Sequence, residues 1–263
     1  MAESPRPLEN RHALVTGAGR GIGAAVTRRL AAMGASVTLV GRRPERLHAL
    51  ADELAETHGR PFLAAPADVT DDARVAAAFD EARQALGPVD ILVNNAGILE
   101  GGEFLTLPLD RWQAHLDVIL LGAARTTHLA LPDMLEKGWG RVVNVSSVSG
   151  LMGVSHVTAY SAAKHGLVGF TRSLALEVSK SGVTVNAVCP SYVETDMVTG
   201  LVEGLAEKLS KPEGVMRAAI LRNMPIGRLI TPEEVASAVC WLCDPEQAAV
   251  TGHALVLSGG AAV

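Results

Sequence analysis

Charged side chains make up only 19% of this 263-residue chain, too few for long solvated or disordered stretches. No basic block exceeds a few residues and the formal net charge is −5, which argues against nucleic acid as a partner. No uninterrupted apolar run reaches the ~18 residues of a membrane helix. The opening MAESPRPLENRH has neither the apolar core nor the cleavage site of a secretion signal. Cysteine is rare and odd in number, at Cys189, Cys240 and Cys243, so no disulfide framework is expected. Cys240 and Cys243 read as two buried thiols one helical turn apart. The eight histidines do not pair with Cys or carboxylates at ligand spacing, so no metal is expected. These absences describe a cytoplasmic protein that touches neither membrane nor nucleic acid.

What is abundant is apolar residues, 48% of the chain, arranged in two alternating periods. Short β-rich runs fall at 12–16, 36–40, 62–65, 89–93, 141–145, 183–188 and 254–257, with helical spacing between most of them. Near-continuous apolar strands separated by helices require a sheet covered on both faces. The expected fold class is α/β: a single-domain, Rossmann-like, doubly wound fold with a seven-stranded, mostly parallel sheet. Ligands of such sheets bind beyond the carboxyl ends of the strands. Residues 196–229 carry no strand and mix helix formers with Gly200, Gly204, Pro212 and Gly214. A long excursion of this kind is expected to be a helical substrate lid. One domain, 1–263, with a flexible tail at 1–10, completes the plan.

Directly after the first strand comes TGAGRGIGAAV, residues 16–26. Glycines at 17, 19, 21 and 23 let the backbone turn tightly and approach a pyrophosphate without a Cβ in the way. The helix that follows offers unpaired N–H groups to the phosphates. The second strand ends in Gly41-Arg42-Arg43, where a carboxylate would otherwise bind a ribose hydroxyl. Guanidinium groups there, with Arg20 in the glycine loop, suit a 2′-phosphate. The expected cofactor is NADPH/NADP+, cradled by Gly17, Gly19, Arg20, Gly21, Ile22, Gly23, Arg42 and Arg43.

Tyr160 and Lys164 stand four apart on an expected helix and therefore share one face. An ammonium beside a phenol favours phenolate, and lowering a Tyr pKa from ~10 to near neutrality takes ~4 kcal/mol. Such a phenol can act as general acid toward a carbonyl oxygen, and Ser147, just past a strand, can hold that oxygen. The ordered set TGAGRGIG, NNAG (94–97), Ser147, YSAAK (160–164) and NAVCP (186–190) resembles the short-chain dehydrogenase/reductase superfamily over essentially the whole chain. Ser147 precedes Tyr160 by thirteen residues, the spacing of that family.

The resemblance implies further roles. Asp68 and Val69 border the adenine, and Asn95 lies along the cofactor. Lys164 also bonds the nicotinamide ribose. Pro190, Val193 and Thr195 shape the nicotinamide site so that the pro-S hydride is presented. The usual Pro-Gly is Pro190-Ser191 here. KHGLVGFTRSLALE, NAVCPSYVETDM and MPIGRLITPEEVA look closest to 3-oxoacyl-carrier-protein reductases and aromatic-polyketide ketoreductases. This implies reduction of a small-molecule ketone, free or linked to a carrier protein or CoA. An NADP-linked alcohol (hydroxyacyl or hydroxysteroid) dehydrogenase is the alternative. A non-redox nucleotide-binding protein is the alternative of another class. Surplus apolar residues at 110–136 and 158–179 suggest a homotetramer, or a dimer, as is common in the family. One stretch departs from the pattern: in HLDVILLGA (115–123), Ile119 occupies the place of the family's fourth catalytic residue, an asparagine, and its side chain can form no hydrogen bond.

Overall fold

In a computed structural model of the chain, residues 6–261 are described, apart from the side chains at 205 and 208. Seven strands form one sheet: β1 (His12–Thr16), β2 (Ser36–Gly41), β3 (Leu63–Pro66), β4 (Ile91–Asn94), β5 (Gly140–Val145), β6 (Val183–Pro190) and β7 (Ala254–Leu257). Their order is β3-β2-β1-β4-β5-β6-β7, and every pairing is parallel. The helices are α1 (Gly21–Ala32), α2 (Pro44–His58), α3 (Asp72–Leu86), α4 (Leu109–His115), α5 (Gly122–Lys137), α6 (Thr158–Glu177), α7 (Asp196–Leu209), α8 (Glu213–Arg222) and α9 (Pro232–Cys243).

Alternation along each strand divides the core between the two faces, because successive side chains point to opposite sides of a sheet. Ala13, Val15, Ile91, Val93, Val143 and Val145 join the core built with α1, α2 and α9. Leu14, Leu92 and Val142 join the core built with α3, α5 and α6. The central strands β1, β2, β4, β5 and β6 are buried on both faces, which is why they read as apolar runs without polar alternation, whereas the edge strands β3 and β7 are only partly covered. Cys240 and Cys243 lie inside the first core. Among the described residues no helix is long and apolar enough to cross a membrane.

The chain reverses its winding between β1 and β4, the neighbours from which it runs outward in both directions. A crevice opens there, beyond Thr16 and Asn94. Beyond β6, Val193 bridges Ile230, and the Ile230 N–H donates to the Tyr192 carbonyl at 3.0 Å. Segment 196–229, carrying α7 and α8, therefore leaves and rejoins the domain at one point. Of the expected tail, residues 1–5 lie outside the described residues. Residues 6–10 form a turn with Leu8 fully buried and its N–H bonded to the Met33 carbonyl at 3.0 Å.

Candidate active site

The glycine loop is fixed from beneath by the end of β4. Thr16 Oγ1 accepts from the N–H groups of Asn95 and Ala96, both at 3.0 Å. Asn95 Nδ2 donates to the carbonyls of Thr16 (3.0 Å) and Gly17 (3.2 Å). Gly17 has φ +64, and a Cβ there would lie 2.9 Å from Asn95 Nδ2. A Cβ on Gly23 would lie 2.1 Å from the Gly17 carbonyl oxygen, so α1 can sit on the loop only with glycine at that position. Gly23 supports the crevice from below, whereas Gly17, Gly19, Arg20, Gly21 and Ile22 line it. Arg20, the residue before α1, makes no side-chain cap, which leaves the first N–H groups of the helix for an anion.

The crevice holds a cavity of about 220 Å³ that also receives Arg42, Arg43, Asp68, Val69 and Asn95. Arg46 lines it too, a cation that the sequence reading passed over. Nothing in its surroundings in the sequence marked it, but the first turn of α2 lays its Cβ 3.3 Å from where a Gly19 Cβ would stand. Two carboxylates share these guanidiniums. Arg20 pairs with Asp196 at 2.9 Å, Arg46 approaches Asp196 at 3.9 Å, and Arg42 approaches Asp68 at 3.9 Å. The chemistry fits a phosphorylated dinucleotide: a cradle that admits no side chain, a helix N-terminus and a cluster of guanidiniums at the second strand end.

A second cavity of about 690 Å³ continues from the first and shares Ile22, Asn95, Thr195 and Met197 with it. Ser147, Tyr160, Lys164, Pro190 and Val193 all line this one. Ser147 follows β5, and its Oγ accepts from the Ser149 N–H at 3.1 Å. α6 supplies Tyr160 and Lys164 one turn apart. The turn after β5 packs against that helix backbone, where a Gly150 Cβ would meet the Lys164 carbonyl oxygen at 2.7 Å. Lys164 is almost fully buried, and its Nζ donates to the Val145 carbonyl at 2.7 Å. The ammonium thus holds β5 and α6 together and stands 5.6 Å from the Tyr160 ring centre.

The expected lowering of the phenol is not what the protein side chains alone produce. Burial pushes Tyr160 up to about 12, opposed in part by its hydrogen bond with Ser147. Burial likewise pushes Lys164 down to about 8. The reason is physical: desolvation disfavours phenolate and ammonium alike, and the lysine is spent on a backbone carbonyl. Ser191 turns its hydroxyl toward the Met224 sulfur at 3.5 Å, so the Cβ that departs from Pro-Gly is accommodated.

Helical spacing is broken where Ile119 lies. α4 and α5 are joined by a π-helical turn, Leu116–Leu121, and wide turns of this kind frequently mark functional sites. Ile119 is buried against Ala163, Leu167 and the Tyr160 ring. One turn earlier, His115 is fully buried, with its ring edge-on to Tyr160 at 6.4 Å between centres.

Comparison with known proteins agrees with this geometry. The family model for short chain dehydrogenase matches residues 11–206. The chain is 38% identical to a 3-oxoacyl-acyl-carrier-protein reductase of Aquifex aeolicus, covering 96% of this chain and 98% of the relative. It is 37% identical to a D-β-hydroxybutyrate dehydrogenase of Rhizobium meliloti, covering 94% and 97%. A crystal structure of a variant actinorhodin polyketide ketoreductase with NADPH superimposes with a TM-score of 0.92 at 39% identity, covering 98% of each chain. By motif, by strand order and by these likenesses, the chain belongs to the short chain dehydrogenase family and is an oxidoreductase of that kind.

Proposed function

We propose that the chain is an NADPH-dependent ketoreductase that reduces an uncharged, bulky ketone of polyketide or acyl type to a secondary alcohol. The observation that carries this reading is the 690 Å³ cavity. Its lining is largely apolar, with serines, tyrosines, Thr195, Asn95 and Asn223 as the uncharged polar groups, and Lys164 is the only charged side chain among the described residues that line it. A small keto acid needs a cation for its carboxylate, because an unpaired anion is costly to bury, and the one lining cation, Lys164, is here assigned to the Val145 carbonyl and the ribose. NADPH, bound through Arg20, Arg42, Arg43 and Arg46 at its phosphorylated end, would supply the pro-S hydride. Tyr160 donates a proton to the carbonyl oxygen, Ser147 holds that oxygen, and Lys164 orients the ribose. Segment 196–229 acts as the substrate lid of a single domain.

A phenol held at about 12 carries its proton at neutral pH, the form a general acid requires. The test is NADPH absorbance in the presence of bicyclic ketones, β-keto esters and acetoacetate. Neutral ketones are expected to be turned over in preference to acetoacetate. Tyr160→Phe is expected to lose ~10²–10⁴-fold in turnover while still binding NADPH. Binding of NADPH without its consumption on any ketone would overturn the reading in favour of a non-redox role.

A further inference from the structure

We propose that His115 is a positioning residue for substrate recognition: it anchors the loop at residues 98–104, and with it Leu99, as a fixed wall of the ketone cavity. This rests on the ketoreductase reading for its substrate, though not for its geometry. His115 is fully buried, and both ring nitrogens meet backbone groups. The Glu100 N–H donates to Nε2 at 3.2 Å, and an amide can only donate, so Nε2 is the acceptor and the ring proton sits on Nδ1. Nδ1 in turn donates to the Arg111 carbonyl at 2.7 Å. The imidazole therefore spans α4 and the loop with one tautomer satisfying both ends.

Two further ties hold the same loop. The Gly102 N–H donates to the His156 carbonyl at 2.7 Å, and the Glu100 carboxylate faces Arg111 at 3.6 Å. Immediately before these anchors, Leu99 lines the ketone cavity. A buried histidine that merely filled space would touch apolar neighbours. His115 instead spends its acceptor on the residue next to a cavity-lining side chain, and its ring edge rests on Tyr160.

The test compares His115→Leu, His115→Gln and Glu100→Pro in the full-length protein. Leucine removes the acceptor, glutamine can return an oxygen near the Nε2 position, and proline deletes the donor together with the Arg111 ion pair, without touching the core. Two readouts are taken: hydrogen exchange of the 98–104 amides without ligand, and KM and kcat for a neutral bicyclic ketone at saturating NADPH. His115→Leu and Glu100→Pro are expected to raise KM about three- to tenfold, with kcat and NADPH affinity nearly unchanged. The leucine variant is also expected to speed exchange at Glu100, and His115→Gln to restore slow exchange and low KM. Unchanged KM in Glu100→Pro, or glutamine failing as leucine does, would overturn the proposal. If the unsubstituted protein consumed no NADPH with any ketone, the ketoreductase reading would fall. Exchange at Glu100 would then separately show whether His115 anchors the loop.

Discussion

Burial leaves Tyr160 at about 12 and Lys164 at about 8, so a rise in pH discharges the lysine long before the phenol. If the ammonium is needed to orient the ribose and to hold β5 against α6, kcat/KM for ketone reduction falls as pH rises through about 8. A pH–rate profile of the free enzyme reads this directly, and a profile still flat well above that value would refute it. Ile119→Asn is expected to shift the pH dependence of kcat by placing a hydrogen-bonding side chain beneath Tyr160. It is also expected to cost about 1–3 kcal/mol, because the pocket of Ala163 and Leu167 offers the amide nothing apparent. Denaturant midpoints and a pH profile measured together separate the two effects. Ser147, Tyr160 and Lys164 could be singled out in the chain because they sit in an ordered set of motifs that resembles a known family, not because of their spacing alone. Arg46 and His115 could not: each looks like an ordinary helix residue, and only tertiary packing brings one to the glycine loop and the other to a loop amide.

At the level of elements, the strands were legible because burial on both faces leaves apolar runs that a helix would not need. The π turn was not. Leu116, Val118, Ile119, Leu120 and Leu121 leave Asp117 as the one polar residue of the turn, too little polar pattern to mark a change of phase. What locks β4, β5 and α6 in register is a buried amide relay. Asn94 Nδ2 donates to Asn144 Oδ1 at 2.9 Å, and Asn144 Nδ2 donates to Thr171 Oγ1 at 2.8 Å. Asn144→Ala is expected to remove one bond each from Asn94, which keeps Thr127 Oγ1, and Thr171, which keeps the Leu167 carbonyl, and to cost about 1–3 kcal/mol in all, read from urea unfolding. α9 is held at its start by Thr231 and Glu234, each bonding the other's backbone N–H. Thr231→Ala is expected to cost about 1 kcal/mol in the same measurement.

Over the whole molecule, the two ends of the sheet have different duties. The carboxyl ends of the strands carry the crevice, and the opposite end carries buried polar groups that set stability. There His12 is bonded through Nδ1 to the Gly87 carbonyl at 2.7 Å and through Nε2 to Thr38 Oγ1 at 2.9 Å. Burial lowers its pKa below 6.5. The unfolded chain therefore takes up the proton first, and the stability this site confers is complete above about 6.5 and lost as pH falls through the lower folded value. Urea midpoints against pH are expected to drop on the acid side, and less so in His12→Gln. Leu121, Leu135 and Leu176 on the π turn, α5 and α6 are exposed, on or beside the segments where a homotetramer, or a dimer, is expected to form, and mass measurement in solution tests which.

The contact between Arg20 and Asp196 joins the glycine loop to the first residue of α7, and the Thr195 methyl stands 3.2 Å from where a Gly21 Cβ would be. The wall between the two cavities is thus made partly of the loop that cradles the dinucleotide. A ketone arriving first would meet an unfinished chamber, and a dinucleotide arriving second would find its entrance narrowed. Steady-state kinetics are accordingly expected to show a compulsory order, dinucleotide on first and off last. Oxidised dinucleotide would then inhibit competitively against the reduced form, and the alcohol product would not.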